Sequence, residues 1–192
     1  MAFLQALRNF FVPAAARRIT VVEPAAQTEY CVAPLTPGHL NEVLYLNFRC
    51  FEDGENYNKH TFSYLLSQPN ALCFQIATAE NEMAGFLCVL VGDNRIAHIT
   101  TIGVAPEHRR RGLAERMLAE LDRSLIERGI TSIVLEVRVG NTAAQSLYRT
   151  CGFLITQQIS QYYNDGEDGY LMVKALADEM EPNDISRLYE PA

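Results

Sequence analysis

The sequence predicts an α/β fold, a single domain whose mixed sheet carries helices on both faces. Its 192 residues are 48% hydrophobic and 20% charged, which is ordinary for one globular domain with a core. Apolar patterns of the strand and helix types alternate in the order strand, two helices, three strands, helix, strand, helix and two strands. This order is typical of a mixed sheet that is covered on both sides.

The first half of the domain contains a short strand, two helices and three longer strands. The strand YCVAPL begins near Tyr30, and Thr36-Pro37 opens a helix because proline is favoured in the first helical turn. A second helix, about His60 to Ser67, stops at QPN. The apolar runs ALCFQIA and MAGFLCVLV are joined by a polar turn and predict a hairpin. A further turn leads into the strand IAHITTIGV.

The second half begins with the helix LAERMLAELDRS, whose apolar residues recur at spacings of three and four. They predict one face of an amphipathic helix: Leu113, Met117, Leu118, Leu121 and Leu125. Gly129 is placed to cap the end of this helix, before the strand ITSIVLEVRV. The helix TAAQSLYRT then follows Asn141, and FLITQQISQYY and DGYLMVKAL predict a hairpin that turns at NDGED.

Composition divides the chain into three parts. Residues 1–27 predict an amphipathic helix and a linker, too short to span a bilayer. Packing of this helix on the domain or on a second subunit, a disordered extension, and a membrane-surface or targeting helix remain open. Residues 28–176 are the predicted domain, which should stay folded when residues 1–27 are deleted. Residues 177–192 form an acidic tail to which the sequence assigns no role.

Charge and cysteine usage exclude several classes of protein. The chain carries 23 acidic and 16 basic residues, a net charge of -7, which argues against a nucleic-acid surface. Its cysteines are odd in number and widely spaced, which predicts reduced packing residues in a cytoplasmic protein without a metal site. They are Cys31, Cys50, Cys73, Cys88 and Cys151.

A candidate anion site lies between the strand IAHITTIGV and the long helix. Arg109, Arg110 and Arg111 concentrate positive charge there, and Gly112 lets a ligand approach the backbone. The unpaired first amides of a helix and its dipole favour an anion at this point. The segment therefore predicts a pyrophosphate site, although a solvated turn with an ordinary glycine would share the pattern.

The pattern Arg109-x-x-Gly112-x-Ala114 resembles the acetyl-coenzyme A signature of the GNAT superfamily of N-acetyltransferases. LEVRVGNTAAQSLYRTCGF resembles the corresponding stretch of bacterial ribosomal-protein-alanine N-acetyltransferases. AHITTIGVAPEHRRRGLAERM, GENYNKHTFSYLLSQPN and YYNDGEDGYLM resemble the catalytic subunit of N-terminal acetyltransferase A. The likeness runs from about residue 29 to 176. It implies a mostly antiparallel sheet of about seven strands that is splayed at the cofactor site.

The resemblance implies transfer of acetyl from acetyl-coenzyme A to an α-amino group. Glu136 would be the base and Tyr148 the acid that protonates the leaving thiolate. Glu55 is a second candidate for the base, because it matches a loop glutamate of the acetyltransferase A group. Glu136 paired with Arg138 or facing solvent, and Tyr148 as a core residue, are the structural alternatives.

The same correspondence implies the binding residues. The backbone of Ile102, Gly103 and Val104 would pair with the pantetheine arm, and Asn141 would bind the cofactor, cap the following helix, or do both. Tyr148 would also contact the cofactor. The pyrophosphate would lie at the signature segment, made up of Arg109, Arg110, Arg111, Gly112, Leu113, Ala114 and Glu115. The substrate contacts would be Glu55, Tyr57, Tyr162 and Tyr163.

The implied substrate is a protein N-terminus that begins with a small residue such as alanine or serine, with a ribosomal protein as the bacterial candidate. Acetylation of a small-molecule amine is the alternative on the same scaffold. A catalytically quiet module that binds acetyl-coenzyme A, or a subunit that docks on a partner, is the alternative from a different class. The chain is expected to act as a monomer or homodimer, without nucleic acid or a membrane span.

Overall fold

The computed structural model describes residues 22–51 and 56–176, and the elements in these ranges follow the predicted order. The predicted acidic tail and most of the N-terminal segment lie outside the described residues. The strands and helices are β1 Tyr30–Pro34, α1 Leu40–Cys50, α2 Lys59–Ser67, β2 Ala71–Thr78, β3 Met83–Val91, β4 Ile96–Val104, α3 Leu113–Glu127, β5 Ser132–Arg138, α4 Thr142–Thr150, β6 Leu154–Ile159 and β7 Gly169–Ala175.

The strands form one seven-stranded sheet in the order β1-β2-β3-β4-β5-β7-β6. Neighbours are antiparallel throughout, except for β4 and β5, which are parallel. The prediction of a mixed, mostly antiparallel sheet of about seven strands is therefore confirmed. The long helix α3 makes the crossover between the two parallel strands, as parallel pairing requires.

The helices cover both faces of the sheet, because successive side chains of a strand point to opposite sides. On one face, α3 and α4 pack through Leu113, Met117 and Tyr148 against strand residues such as Leu87 and Leu135. A second cluster covers the other face with α1 and α2. It contains Val43, Leu46, Phe62, Leu65, Phe86 and Cys88.

The strand β6 is shorter than the sequence predicts. The segment FLITQQISQYY suggested a strand as far as Tyr163, but β6 ends at Ile159. Gln161 takes a left-handed φ of 50°, and its amide donates to the carboxylate of Asp168 at 2.9 Å. This side-chain contact replaces the strand ladder, so Tyr163 belongs to a loop between β6 and β7.

The first predicted helix begins with a short 3₁₀ turn at Pro37–His39, and the α-helix proper starts at Leu40. Gly129 has a φ of 69° directly after α3, which confirms its predicted capping role. Among the described residues, no helix combines the length and the apolar character that crossing a membrane would need.

Candidate active site

The sheet opens between its two parallel strands. β4 and β5 pair only over Ile96–His98 and Ser132–Val134, although β4 continues to Val104 and β5 to Arg138. β3 stays paired with β4, and β7 stays paired with β5, along these extensions. The two halves of the sheet therefore separate beyond His98 and leave a gap between the open edges of β4 and β5. This gap confirms the splay that the resemblance implied.

A buried pair of polar side chains lies where the gap begins. His98 is the last residue of β4 that pairs with β5, opposite Val134. Glu136 follows Val134 by two residues, on the same face of β5. Nε2 of His98 is 2.7 Å from Oε2 of Glu136, and the two side chains are 15% and 7% exposed. Glu136 is thus not a solvent-facing carboxylate, and the structure adds His98, which sequence reasoning missed.

Two opposing effects set the charge of His98. Burial lowers the pKa of the imidazole, whereas the charge and the hydrogen bond of Glu136 raise it, and the resulting pKa lies above its ordinary value. Nδ1 of His98 is also buried, without a hydrogen-bond partner among the described residues. The pair can hold a proton between an imidazole and a carboxylate at the edge of the gap, as general acid–base chemistry requires.

A β-bulge at Thr100 redirects β4 along the gap. The β3–β4 register passes from Ile99 to Thr101 without a partner for Thr100. The carbonyl of Thr100 accepts a hydrogen bond from the phenol of Tyr57 at 2.9 Å. Tyr57, which the sequence predicted as a substrate contact, is therefore anchored on β4 two residues after His98. Glu55, the other predicted contact in this segment and the second candidate for the base, lies outside the described residues.

The loop before α3 has the backbone geometry of an anion site. Arg110 and Gly112 have left-handed φ values of 63° and 72°, and Gly112 is the N-cap of the 15-residue helix α3. A Cβ built on Gly112 meets no atom within 4 Å, so the space beside it is open. The first amides of α3, from Leu113 to Glu115, have no acceptor within the helix. Open space, unpaired amides and the positive end of a helix dipole fit a pyrophosphate.

Two of the three arginines of this loop use their side chains to hold the protein together. Arg109 donates from Nε to the carbonyl of Val104 at 3.1 Å. Arg111 donates to the carbonyls of Ala25 and Ala26 and to the phenol of Tyr30. These contacts fix the loop and leave its positive charge beside the N-terminus of α3.

Tyr148 lies in the core on the side of the sheet opposite to Glu136. It packs with Leu135 and Val137, whose side chains alternate with that of Glu136 along β5. The ring is 7% exposed and meets Phe153 edge to face at 5.7 Å. Burial raises the pKa of Tyr148 well above its ordinary value, so the phenol keeps its proton. Tyr148 and Glu136 therefore flank the gap from opposite faces.

Asn141 caps the helix α4. Its side-chain oxygen accepts a hydrogen bond from the amide of Ala144 at 3.0 Å. The capping role that the sequence allowed is confirmed. The side-chain NH₂ group of Asn141 is not used by this bond and keeps its capacity to donate toward a ligand.

The loop between β6 and β7 is tied to the end of β5. Arg138 forms ion pairs with Asp165 and Glu167 at 2.9 and 2.5 Å and stacks on Tyr163 at 4.1 Å. Glu167 also accepts a hydrogen bond from the amide of Gly140 at 2.7 Å. The rings of Tyr162 and Tyr163 meet edge to face with centroids 5.1 Å apart. Charge pairing therefore brings both tyrosines near the Arg138 end of the gap.

Comparisons with known proteins agree with this geometry. The profile of the Acetyltransferase (GNAT) family matches residues 40–153. An N-alpha-acetyltransferase of Caenorhabditis elegans is 35% identical over 72% of this chain and 77% of its own length. An N-alpha-acetyltransferase of Saccharolobus solfataricus is 32% identical over 64% of this chain and 80% of its own. Among solved structures, the ribosomal-protein-S18-alanine N-acetyltransferase from Escherichia coli is 27% identical with a TM-score of 0.72, covering 80% of this chain and 98% of that one.

Proposed function

Because the chain belongs to the GNAT family of acetyltransferases, we propose that it transfers the acetyl group of acetyl-coenzyme A to the α-amino group at a protein N-terminus. The relatives named as N-alpha-acetyltransferases support this reaction. The observation that carries the proposal is the buried contact between His98 and Glu136 at the start of the gap. It supplies a proton acceptor where an amine entering from the α1 and α2 face would meet an acetyl group lying in the gap.

The proton-transfer steps follow from the positions of Glu136 and Tyr148 on opposite faces of the sheet. The thioester of acetyl-coenzyme A supplies an activated acetyl group. The amine nitrogen bonds to the acetyl carbon, the carbon–sulfur bond breaks, and the excess proton of the amine goes to Glu136, directly or through a water. His98 holds the carboxylate in place by its 2.7 Å contact. Tyr148, on the other face, gives its proton to the departing sulfur and is kept protonated by its raised pKa.

Acetyl-coenzyme A would lie along the gap. The backbone of Ile102–Val104 borders the open edge of β4 and would pair with the pantetheine arm in the manner of an added strand. The amides from Arg110 to Glu115 would hold the pyrophosphate. Asn141 would donate to the pantetheine or acetyl region from the N-terminus of α4. Structures similar in fold have been solved with coenzyme A or acetyl-coenzyme A bound, which supports this class of ligand.

The protein substrate would enter between the two loops that carry tyrosines. Tyr57 precedes α2 and donates a hydrogen bond to the Thr100 carbonyl of β4, beside the gap. Tyr162 and Tyr163 lie at the Arg138 end of the gap. Glu55 would be within the first of these loops. A site of this kind would favour small first residues such as alanine or serine, with modest discrimination, because a single methylene changes binding little. A ribosomal protein is the finer assignment, supported by the likeness to the Escherichia coli enzyme.

A thiol-release assay with acetyl-coenzyme A tests this function. Short peptides with free alanine, serine, methionine-leucine or acidic N-termini are compared with the same peptides blocked at the α-amine, a polyamine and an aminoglycoside. Turnover on the free peptides alone is the expected result. Turnover on the small amines alone would replace the proposed substrate class, and no turnover on any amine would favour a non-catalytic, acetyl-coenzyme A-binding role.

A further inference from the structure

Two cysteines lie directly opposite each other in the sheet, away from the gap. Cys73 of β2 is the register partner of Cys88 of β3, and both side chains belong to the cluster under α1 and α2. They are fifteen positions apart in the sequence, and hydrophobic runs surround both. Sequence reasoning had therefore treated them as separate packing residues.

Hydrogen-bond directions identify the type of pair that they form. In an antiparallel strand, the amide and carbonyl of one residue point to the same side. The carbonyl of Cys73 accepts from the amide of Leu35, on the β1 side. The carbonyl of Cys88 accepts from the hydroxyl of Thr100, on the β4 side. The backbone amide and carbonyl groups of Cys73 and Cys88 are thus directed away from each other, so the two residues form a non-hydrogen-bonded pair.

Such pairs bring side chains closest together. Their Cα atoms lie about 4.5 Å apart, which falls within the range of roughly 4.4 to 6.8 Å that disulfide bonds span. The two thiols are close enough to shift each other's pKa. A bond between the sulfur atoms therefore needs side-chain rotation and only a small strand movement.

We propose that Cys73 and Cys88 form a reversible disulfide when the protein meets a hydroperoxide. In the first step, the thiolate sulfur of Cys73 attacks one oxygen of the peroxide, the O–O bond breaks, and Cys73 becomes a sulfenic acid. Hydroxide (from hydrogen peroxide) or an alkoxide leaves and takes up the proton that the thiol released. In the second, the sulfur of Cys88 displaces the hydroxyl group from that sulfur, and its proton leaves with the hydroxyl group as water. Two thiols and one peroxide thus yield one disulfide and, in net terms, two waters when hydrogen peroxide is the oxidant.

The surroundings of the two thiols assign these roles. Cys73 is half-buried, whereas Cys88 is fully buried, so the peroxide reaches Cys73 first. A hydrogen bond from Cys88 and one from the amide of Val89 lower the pKa of Cys73, although burial opposes them. The hydrogen bond to Cys73 and burial raise the pKa of Cys88. Cys73 is therefore the attacking thiol, because the thiolate is the reactive form, and Cys88 the resolving one.

The disulfide would also be linked to the gap through Thr100. The carbonyl of Cys88 accepts a hydrogen bond from the hydroxyl of Thr100 at 2.9 Å. Thr100 is the bulge residue whose carbonyl accepts the hydrogen bond of Tyr57. Drawing Cys88 toward β2 pulls on this contact, two residues from His98. Oxidation should therefore slow acetyl transfer, a consequence that rests on the proposed function.

Thiol titration and peptide mapping of the full chain test the disulfide without any activity measurement. After treatment with hydrogen peroxide, three of the five thiols of the unfolded wild type should react with an alkylating reagent. Peptide mapping without reduction should show a peptide pair joined at Cys73 and Cys88. Dithiothreitol should restore all five. C73S and C88S should each form no such pair. C31S, which removes the exposed Cys31, should form the same pair as the wild type and show two of its four thiols. Sulfinic acid at Cys73 beside a reduced Cys88, or a bond that uses Cys31, would overturn the proposal.

The same samples test the coupling to the gap. Peroxide should slow acetyl transfer several-fold in the wild type and in C31S, reversibly with dithiothreitol, while C73S and C88S keep their rates. Parallel loss in C73S would show that the disulfide is not the cause. A mapped disulfide with an unchanged rate would contradict the coupling through Thr100.

Discussion

Tyr148 packs in the core, the proposed mechanism also gives it a proton-transfer role, and one substitution separates the two. Tyr148→Phe keeps the ring that meets Phe153 edge to face and removes only the phenol. We expect kcat to fall by about 10²-fold, as for loss of a general acid, while the midpoint of thermal unfolding stays near that of the wild type. Stopped-flow thiol release and calorimetry measure the two quantities. Wild-type kcat in this variant would leave Tyr148 with a core role alone.

His98 should titrate at a pH that Glu136 controls. NMR of the imidazole should give a midpoint above the ordinary value of about 6.5 in the wild type, since Glu136 raises its pKa against the effect of burial. In Glu136→Gln the burial stays and the negative charge is lost, so the midpoint should fall below the ordinary value. His98→Gln assigns the signal. An unchanged midpoint in Glu136→Gln would show that the two groups are not coupled.

The same pKa shift fixes the sign of a pH effect on stability. A histidine whose pKa is raised by folding stabilises the native state fully below the pKa of the unfolded chain, and loses that contribution as the pH rises through the folded value. The ion pair between His98 and Glu136 therefore stabilises the protein most at acidic pH, as long as the carboxylate remains ionised. The free energy of unfolding of the wild type should therefore be higher near pH 6 than at a pH above the folded pKa of His98. His98→Gln should not show this difference.

The family resemblance supplied Glu136, Tyr148 and Asn141 as candidate site residues, but it did not supply His98. The partner of His98 lies 38 positions away, across a parallel pair of strands. The available signal was a single histidine in the strand IAHITTIGV, on the face opposite to Ala97 and Ile99. That pattern indicates a face but not a partner, because strand register is set by tertiary packing.

The two ends of α3 offer a matched test of the cofactor site. Gly112 and Gly129 both have φ near 70°, and a Cβ on either meets no atom within 4 Å. Valine at either position should cost a comparable free energy of unfolding, about 1–2 kcal/mol for the left-handed backbone. Only Gly112→Val should also weaken acetyl-coenzyme A binding in isothermal calorimetry, because only Gly112 lies beside the proposed pyrophosphate. Equal affinities in Gly112→Val and Gly129→Val would remove the anion site from this end of α3.

Elements were predictable where the chain signals its own local structure. The amphipathic stripe of α3 and its capping Gly129 needed no tertiary information. The end of β6 did need it, since the predicted strand continued to Tyr163, whereas the amide of Gln161 bonds to the carboxylate of Asp168 and closes the loop. The tyrosines of that loop are placed by Arg138, Asp165 and Glu167, whose ion pairs no hydropathy pattern reveals.

At the scale of the whole molecule, the first described residues are joined to the loop before α3. The amide of Ala25 donates to the carbonyl of Glu107 at 3.0 Å, and Arg111 donates to the carbonyls of Ala25 and Ala26. The linker that composition assigned to residues 1–27 thus includes residues that pack on the domain. A boundary of this kind is set by hydrogen bonds across the chain, which composition does not encode.

Two truncations should therefore differ. Removal of residues 1–21 keeps Ala25 and Ala26, the acceptors of Arg111, and should give a cooperative melt. Removal of residues 1–27 should still give a cooperative melt, but with a loss of roughly 1–2 kcal/mol, because Arg111 loses charged hydrogen bonds. Urea unfolding of both forms beside the full chain measures the difference. Loss of cooperativity in the shorter truncation would show that the segment before residue 22 belongs to the core.

The gap between β4 and β5 is the feature on which the functional account depends, and Glu136 is its central group. The most direct measurement is steady-state acetyl transfer to a free peptide α-amine by Glu136→Gln, with the exposed Glu127→Gln as control, and acetyl-coenzyme A affinity determined for both. We expect kcat to fall by about 10²-fold or more in Glu136→Gln, at unchanged cofactor affinity, and Glu127→Gln to match the wild type. Full activity in Glu136→Gln would contradict the account and move the base to another residue, with Glu55 the first to test.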